Sequence, residues 1–416
     1  MKKPIAYGID FGTTNSAIAI AYKDSPQIVG HGPARDEVVP SVIYVDRYNQ
    51  RLIGEDAIRA YLVNPEPEHS RLLWSVKYFL ADDLWPGTTS PSGEFLEPED
   101  IVAIVLKELK ERADAQCGHD VRCVVLGHPV LFAGAEGIRA ATLNNLAKSR
   151  LREAGFRAGF DKVTLLEEST AALVGEKREP GVMVSLDFGG GTFDVSVIET
   201  DRRGGQQLVA SEGVVVGGDL LTELLFDDLF AAVLGYYTRL PRDFFGAEAL
   251  PEFRSMRGAV AIAGNERARR LLDYFIRNRR RFPELAMLGE VVLGGHAYPL
   301  HRGVDQLKIS LGRAANKSFA FRRSGVALEA RAVRADFESM ISEALDEVDH
   351  AIDRALQRAG LTDRQIGHVV RTGGSSQLRP FVHRVNRRFG AEKVQQRDAF
   401  VTVARGLAQQ AWETQW

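Results

Sequence analysis

One short motif occurs twice in this chain and constrains the fold more than any other feature. Residues 8–16 read GIDFGTTNS, and residues 185–193, which begin 177 positions later, read SLDFGGGTF. Each copy has an apolar run ending in Asp-Phe-Gly, a turn of glycine and threonine, and then alternating β-branched residues, at 17–22 and 194–199. This pattern is typical of a β-hairpin. Because the hairpin is duplicated at such a distance, we predict two similar lobes.

The segments around the two hairpins alternate between strand patterns and helix patterns. We predict strands at 121–126, 163–166 and 367–371, and helices at 101–112, 136–154, most of 218–300, 341–359 and 380–389. Such alternation is typical of an α/β architecture. A chain of 416 residues is also too long for one simple core, which favours two or more packed units.

Composition limits the classes of partner. The chain has 55 acidic and 53 basic residues, a net charge of −2, so nucleic acid is not expected as a partner. The two cysteines, Cys117 and Cys123, favour a reducing compartment, which we take to be the cytoplasm. No apolar stretch reaches about 18 residues, so we predict no membrane span. An arginine-rich run at 267–281 is interpreted as a solvated helix face, with contact to an acidic partner or to nucleic acid as the alternative.

Glycine turns that follow strand-terminal aspartates form a candidate phosphate site. The turns at 12–15 and 189–192 expose backbone N–H groups that no side chain covers, and such groups bind anions. Asp10 and Asp187 end the strands that enter these turns, and a hydrated Mg²⁺ would remove their repulsion. A third glycine turn at 373–374 lies between a strand and a helix, where ligands commonly bind. The chain has no Gly-Lys pair, which excludes a Walker P-loop.

These turns resemble motifs of the 70-kDa heat-shock chaperone family, which belongs to the actin and sugar-kinase superfold. Residues 8–16 are similar to its first phosphate motif, residues 186–196 to its second, and residues 373–376 to its adenosine-contacting turn. The resemblance covers nearly the whole chain, but only the nucleotide-binding portion of that family. It implies an actin-like ATPase with two ribonuclease H-like lobes, each carrying a peripheral subdomain, and a nucleotide cleft between them.

The resemblance also implies domain boundaries. These are lobe I at 1–180 with its subdomain at about 38–115, lobe II at 181–392 with its subdomain at about 218–308, and a C-terminal helix at 393–416 that returns to lobe I. Val403, Leu407 and Ala411 of that helix have helical spacing. No leucine-rich and aspartate-rich linker or β-sandwich domain follows, so the chain resembles truncated bacterial members that lack a substrate-binding domain.

Site residues follow from the resemblance, position by position. It implies catalytic roles for Lys77, Glu168, Asp187 and Thr192, and metal binding by Asp10, Asp187 and Asp194. It implies nucleotide contacts from Gly12, Thr13, Thr14, Asn15, Gly190, Gly191, Thr192, Gly217, Gly218, Asp305, Lys308, Gly373, Gly374 and Ser375. The implied ligands are ATP or ADP with Mg²⁺, and K⁺ is a further candidate ion.

Two departures from the family pattern affect the nucleoside and the glutamate segment. The adenine clamp of the family is best matched by Asp305, Lys308, Ile309 and Gly312, so an aliphatic side chain replaces the stacking guanidinium and a ribose contact is lost. Ser169 follows Glu168 where the family has proline. Adenine remains the expected base, because Ile309 can cover it by dispersion.

We therefore predict a slow Mg-ATPase that acts as a conformational switch for an unidentified protein partner or client, without a peptide-binding domain of its own. Three alternatives stay open from the sequence. They are a non-hydrolysing nucleotide-binding scaffold, a small-molecule kinase of the same superfold and a filament-forming actin-like protein. We find no sugar-pocket signature in the first lobe, which disfavours the kinase.

Overall fold

Two mixed sheets with the same strand order occupy the centre of the molecule. The computed structural model describes residues 4–23, 25–31, 36–63, 69–171, 180–240, 266–397 and 399–413. The predicted segments at 241–265 and 414–416 therefore lie outside the described residues.

The first sheet belongs to the first part of the chain. Its strands and those of the adjoining subdomain are β1 (Ala6–Phe11), β2 (Asn15–Ala21), β3 (Gln27–Ile28), β4 (Val39–Pro40), β5 (Ile43–Asp46), β6 (Arg51–Ile53), β7 (Ser70–Leu73), β8 (Thr88–Thr89), β9 (Phe95–Leu96), β10 (Cys123–His128) and β11 (Lys162–Glu167). The helices are α1 (Gly54–Val63), α2 (Pro98–Cys117), α3 (Ala140–Arg157) and α4 (Glu168–Ala171), with a 3₁₀ helix at Val76–Leu80.

The second sheet belongs to the later part. Its strands and the peripheral hairpin are β12 (Gly181–Phe188), β13 (Phe193–Thr200), β14 (Gln206–Val214), β15 (Asn316–Arg323), β16 (Val326–Val333), β17 (Ile366–Thr372) and β18 (Val394–Gln396). The helices are α5 (Gly218–Phe230), α6 (Glu266–Arg277), α7 (Pro283–Leu293), α8 (Ala297–Leu311), α9 (Arg334–Met340), α10 (Ser342–Ala359), α11 (Arg379–Phe389) and α12 (Ala399–Glu413).

The two central sheets have matching topologies. The first runs β11-β10-β1-β2-β3, with β4 also on β2, and the second runs β18-β17-β12-β13-β14. In each sheet the strand that carries Asp-Phe-Gly is central, antiparallel to its hairpin partner and parallel to the strand on its other side. This arrangement confirms the predicted α/β fold with two similar lobes. We call the parts built on the first and second sheets the first and second lobes.

Some predicted element ends differ from the structure because caps decide where helices begin and end. The helix predicted at 101–112 runs from Pro98 to Cys117, where a capping box at Glu97 and Asp100 begins it and Gly118, with φ 72°, ends it. The helix predicted at 341–359 is α10, which follows α9 and ends at Gly360 with φ 67°. A left-handed C-terminal glycine is a common helix stop.

Helix α12 packs on the back of the first sheet, against β1, β2 and β10. Val403, Leu407 and Ala411 are all buried there. The helix can lie this close to the sheet because glycines occupy the points of contact. A Cβ on Gly8 would lie 2.2 Å from the Ala408 nitrogen, and a Cβ on Gly406 would lie 1.7 Å from the Ala171 carbonyl oxygen.

The peripheral parts of the two lobes touch across the cleft. Trp74, which follows β7, packs on Tyr298 of α8 with ring centroids 5.0 Å apart. Arg302 of the same helix pairs with Glu55 of α1 at 3.4 Å. Trp74 is only 8% exposed and belongs to one hydrophobic core with residues of the second lobe. The cleft is therefore closed at this end. Among the described helices, none has the length and apolar character needed to cross a bilayer.

Candidate functional site

The two glycine turns face each other where the lobes meet. A Cβ on Gly190 would lie 2.1 Å from Thr14 Oγ1, and a Cβ on Gly191 would lie 2.7 Å from Thr13 Oγ1. Glycine is required at both positions, because any side chain would collide with the threonines of the opposite turn. The structure thus brings the first predicted phosphate turn, including Gly12 and Asn15 at its two ends, against the second.

The start of α5 is built on the second turn. Asp219 N donates to the Gly190 carbonyl at 2.8 Å, and Gly218 N donates to the Gly189 carbonyl at 3.0 Å. A Cβ on Gly217 would lie 2.2 Å from the Gly190 oxygen. Gly217 and Gly218 therefore lie beside Gly190 and Gly191.

The third glycine turn, at 373–374, packs against the second turn. Ser375 Oγ donates to the Gly189 carbonyl at 3.0 Å. Gly373 has φ 86°, and a Cβ there would lie 2.1 Å from the Phe188 carbonyl oxygen, so only glycine fits. Gly374 follows and is exposed, at the start of a 3₁₀ turn whose serines are buried. All three predicted turns converge at residues 189–191.

Three carboxylates are held out of water beneath the turns. Asp10 and Asp194 are buried, and Asp187 is partly buried at the end of β12. Removal from water, and next the charge of Glu168, raise the pKa of Asp187 to about 6 and raise the pKa of Asp10 and Asp194 well above the usual carboxyl range. These shifts mean that the fold holds negative charges close together.

A buried ion pair lies among those carboxylates. Lys77 Nζ is 2.7 Å from Glu168 Oε1, although the two residues are 91 positions apart. Lys77 is presented by the 3₁₀ helix that follows Ser75, whose left-handed backbone has φ 51°. Its positive charge offsets part of the rise in the pKa of both Asp10 and Asp187. The structure therefore brings together the two residues that the resemblance names as catalytic lysine and glutamate.

Asp194 is already hydrogen-bonded from both lobes. It accepts from Thr192 Oγ1 at 3.0 Å and from Val130 N at 2.9 Å. Val130 follows Pro129, and its carbonyl accepts from Asn144 Nδ2 of α3 at 3.0 Å. Helix α3 of the first lobe is thus connected to a carboxylate of the second.

These carboxylates fit a hydrated Mg²⁺ better than a directly ligated ion. Within the described ranges, no three His, Cys, Asp or Glu side chains converge closely enough to hold a metal between them. Mg²⁺ usually keeps several waters and takes only one or two protein carboxylates together with substrate phosphates. The oxygen donors and the uncompensated charge of Asp10, Asp187 and Asp194 suit that kind of binding.

The clamp residues of α8 are engaged with the start of α5. Lys308 Nζ donates to the Gly218 carbonyl and to Thr222 Oγ1, both at 2.8 Å, and pairs with Asp305 at 2.8 Å. Burial opposes ionisation of Asp305, yet the charge of Lys308 keeps its pKa below the usual value. The next residue, Ile309, is 55% exposed. The ammonium of Lys308 therefore holds the first turn of α5 in place, and the exposed side chain of Ile309 presents an apolar surface.

Sequence reasoning missed several polar contacts of the site. Ser75 Oγ donates to Asp219 Oδ2 at 3.0 Å and so joins the lobes. Thr222 bonds both Asp305 and Lys308, and a hydrogen bond from Thr372 offsets part of the rise in the pKa of Asp187. Ser75 could have been noticed only as a neighbour of Lys77, and the threonines have no local signal.

The chain was compared with models of protein families. A model described as Hsp70 protein matches residues 6–83, 81–233 and 295–412, which is most of the chain. The chain belongs to the Hsp70 family. Members of this family bind ATP and ADP with Mg²⁺ and have a chaperone role, so this is a nucleotide-binding, chaperone-like protein. Every predicted site residue falls inside the matched ranges of this Hsp70 protein.

The arginine-rich run lies outside those matched ranges. It forms α6 and the turn after it, where Arg277 pairs with Asp273 at 2.8 Å, Arg270 with Glu266 and Arg279 with Glu290. Exposed pairs of this kind contribute little to stability. They fit the interpretation of the run as a solvated helix face.

Proposed function

We propose that this Hsp70-family chain binds Mg-ATP in the cleft between its lobes and hydrolyses it slowly. The observation that carries the proposal is the buried Lys77–Glu168 pair, 2.7 Å apart, among three carboxylates and beneath facing glycine turns. A cation and several carboxylates that are held away from water suit the binding and hydrolysis of a charged phosphate chain.

In this proposal, phosphate binding, charge stabilisation and orientation of the attacking water are carried out by different residues. Backbone N–H groups of the two turns bind the phosphates, and the Thr13 hydroxyl donates a hydrogen bond to a phosphate oxygen. Thr192 contacts the phosphates through its backbone N–H, because its hydroxyl donates to Asp194. Lys77 stabilises the charge that develops on the γ-phosphate, while Glu168 and Asp187 accept hydrogen bonds from the attacking water and orient it. Bound Mg²⁺ supplies charge neutralisation of the phosphates.

Closure of the cleft makes the protein a switch. The lobes touch through Ser75 and Asp219 near the turns, and through Trp74 and Tyr298 at the periphery. We propose that the state of the nucleotide sets how firmly these contacts hold, and that a separate partner or client protein reads the result. We place this activity in the cytoplasm, with support from the free thiols of Cys117 and Cys123.

Two measurements test the proposal together. Titration calorimetry with ATP and ADP, with and without Mg²⁺, should show Mg²⁺-dependent binding of both nucleotides. A single-turnover assay with an excess of protein over ATP should then show slow release of phosphate, which the Asp10→Asn variant should lose. Binding without any turnover would instead establish the non-hydrolysing scaffold, and absence of binding would refute the proposal.

A further inference from the structure

Ser41 is a fully buried residue that is bonded to the first glycine turn, at 12–15, at two points. Its Oγ donates to the Gly12 carbonyl at 2.8 Å, and its N–H donates to the Thr14 carbonyl at 2.8 Å. It comes from a different element, 29 positions beyond Gly12, in the connection between β4 and β5. One residue outside the turn therefore anchors two of the peptide groups that build it.

The donor directions in this network follow from the number of protons. The Ser41 hydroxyl has a single proton, which is used on the Gly12 carbonyl. The Ser16 hydroxyl, 2.8 Å from Ser41 Oγ, therefore donates to Ser41. A hydroxyl that accepts one hydrogen bond is a stronger donor in the next, so Ser16 strengthens the bond from Ser41 to Gly12. Both serines are inaccessible to solvent, so no bulk water competes for these bonds.

The backbone on both sides of Ser41 is fixed by main-chain hydrogen bonds. On one side, β4 pairs with β2 in antiparallel register. On the other, Gly54 N donates to the Val42 carbonyl at 3.0 Å, and Val42 N donates to the Pro40 carbonyl at 2.8 Å. The hydroxyl of Ser41 is therefore held in place by the fold itself, as a preorganised binding site requires.

The two bonds from Ser41 decide where N–H groups of the turn point. In a trans peptide the C=O and N–H lie on opposite sides, and the described residues contain no cis peptide bond. Because the carbonyls of Gly12 and Thr14 face Ser41, the N–H groups of Thr13 and Asn15 face away from it. Within the described ranges, no backbone carbonyl accepts from Thr13 N or Thr14 N. Directed donors without an internal acceptor are suited to binding an anion.

Gly12 is the point at which the turn is most easily reoriented. A Cβ there would lie 2.2 Å from the Asn15 carbonyl oxygen, so no bulkier residue can stiffen the backbone at this position. Rotation of the peptide group between Gly12 and Thr13 would exchange the positions of the carbonyl oxygen and the N–H. The oxygen would then repel a phosphate that the N–H attracts. The hydrogen bond from Ser41 opposes that rotation.

We propose that Ser41 is a positioning residue for phosphate binding, which holds the N–H donors of the first glycine turn toward the phosphate chain of the nucleotide. It acts through the turn and touches no substrate itself. This inference rests on the proposed function, because the turn meets phosphates only if the cleft binds a nucleotide. The turn holds the phosphates before and during hydrolysis alike, so Ser41 contributes to affinity, whereas Lys77 contributes to the rate.

The test measures affinity and rate separately in Ser41→Ala. Titration calorimetry with Mg-ATP should show an affinity reduced by about tenfold, the size expected when a hydrogen bond to a charged group is lost. Single-turnover hydrolysis at saturating ATP should stay within about threefold of the wild-type rate, because Lys77 and Glu168 are unchanged. Disruption of the whole cleft would lower both quantities.

Ser90→Ala is the matched control. Ser90 is also buried, and its hydroxyl accepts from Glu94 N at 3.1 Å in the connection between β8 and β9, which carries none of the site residues. Each variant loses one buried hydroxyl, so both should melt about 2 °C lower than the wild-type protein without nucleotide. Only Ser41→Ala should lose affinity for ATP.

The inference is overturned if Ser41→Ala binds Mg-ATP as tightly as the wild-type protein, or if Ser90→Ala loses as much affinity. It is also overturned if Ser41→Ala loses affinity and saturating rate together and melts far below Ser90→Ala. These results leave the proposed function intact, because the wild-type protein still binds and hydrolyses ATP. If the wild-type protein binds ATP without turnover, the affinities and melting temperatures decide. If it binds no ATP, the proposed function fails, and only that result refutes both.

Discussion

At the scale of single residues, a substitution of Lys77 should affect catalysis and leave nucleotide binding unchanged. We expect Lys77→Ala to leave ATP affinity near the wild-type value, because the glycine turns hold the phosphates, and to reduce single-turnover hydrolysis by at least about tenfold, or 1.4 kcal/mol of barrier. Phosphate release measured with an excess of protein tests this directly. An unchanged rate would contradict a role for Lys77 at the γ-phosphate.

The same variant should also lose stability, and a second substitution controls for that loss. Removing Lys77 leaves Glu168 as a buried charge without its 2.7 Å partner, and breaking a buried pair typically costs about 3–5 kcal/mol. Lys77→Ala combined with Glu168→Gln should recover much of the free energy of unfolding without recovering hydrolysis. Recovery of both would mean that Lys77 acts only through stability.

Asp187→Asn should raise the melting temperature of the nucleotide-free protein at neutral pH. Burial and Glu168 raise the pKa of Asp187 to about 6 in the folded state, above its ordinary value of 3.8. Folding therefore favours its protonated form, and its ionisation destabilises the fold increasingly from about pH 4 to pH 6 and fully above pH 6. Melting curves from pH 4 to 8 should show the variant gaining most above pH 6 and little near pH 4.

The matched control for Asp187→Asn is Asp228→Asn, which changes an exposed carboxylate of α5. Its melting temperature should follow that of the wild-type protein at every pH. Asp187→Asn should in addition lose Mg²⁺-dependent turnover, since one of the negative charges that would hold the hydrated Mg²⁺ is gone. A melting temperature that falls at neutral pH would show that Asp187 is stabilising and would contradict its placement among repelling carboxylates.

At the scale of elements, helix α12 depends on two glycines to approach the first sheet. A Cβ on Gly406 would lie 1.7 Å from the Ala171 carbonyl oxygen, so Gly406→Ala must displace the helix or α4. We expect a loss of about 1–3 kcal/mol in the free energy of unfolding, measured by urea denaturation. Gly367→Ala is the matched control, because its Cβ would meet Val182 at an ordinary 3.5 Å. Equal losses in the two variants would contradict the argument.

The strands, helices and glycine turns that could be predicted are those encoded by a contiguous stretch of sequence. The duplicated Asp-Phe-Gly hairpin predicts β1–β2 and β12–β13, and it gives the fold with two similar sheets. The glycine turns were found because each is a contiguous motif. The contact between Ser75 and Asp219 joins residues that are 144 positions apart, so no local sequence pattern reveals it. It depends on how the lobes pack.

At the scale of the whole molecule, closure of the cleft should control how fast nucleotide leaves. The Trp74–Tyr298 contact, 5.0 Å between centroids, must separate before the peripheral parts can open. A buried aromatic side chain contributes several kcal/mol, so we expect Trp74→Ala to accelerate release of a fluorescent ADP analogue by at least about tenfold. Stopped-flow displacement by excess unlabelled ADP measures the rate.

Tyr48→Ala provides the control for release, because Tyr48 is in the same peripheral part and is 78% exposed. Its release rate should equal that of the wild-type protein. Trp74→Phe should give an intermediate rate, since part of the ring contact remains. If release from Trp74→Ala stays at the wild-type rate, the contact does not limit opening.

The position of α12 has a consequence for synthesis on the ribosome. The sheet that receives it begins at Ala6, whereas the helix that covers its back ends only at Glu413. Throughout translation of the residues between them, Ala17, Ala19 and Val125 have no apolar partner from that helix. The second sheet acquires its last strand, β18, before α12 is complete. Of the two sheets, the one synthesised earlier is therefore the one completed later, and a nascent chain halted before α12 would expose an alanine-rich apolar face to other proteins.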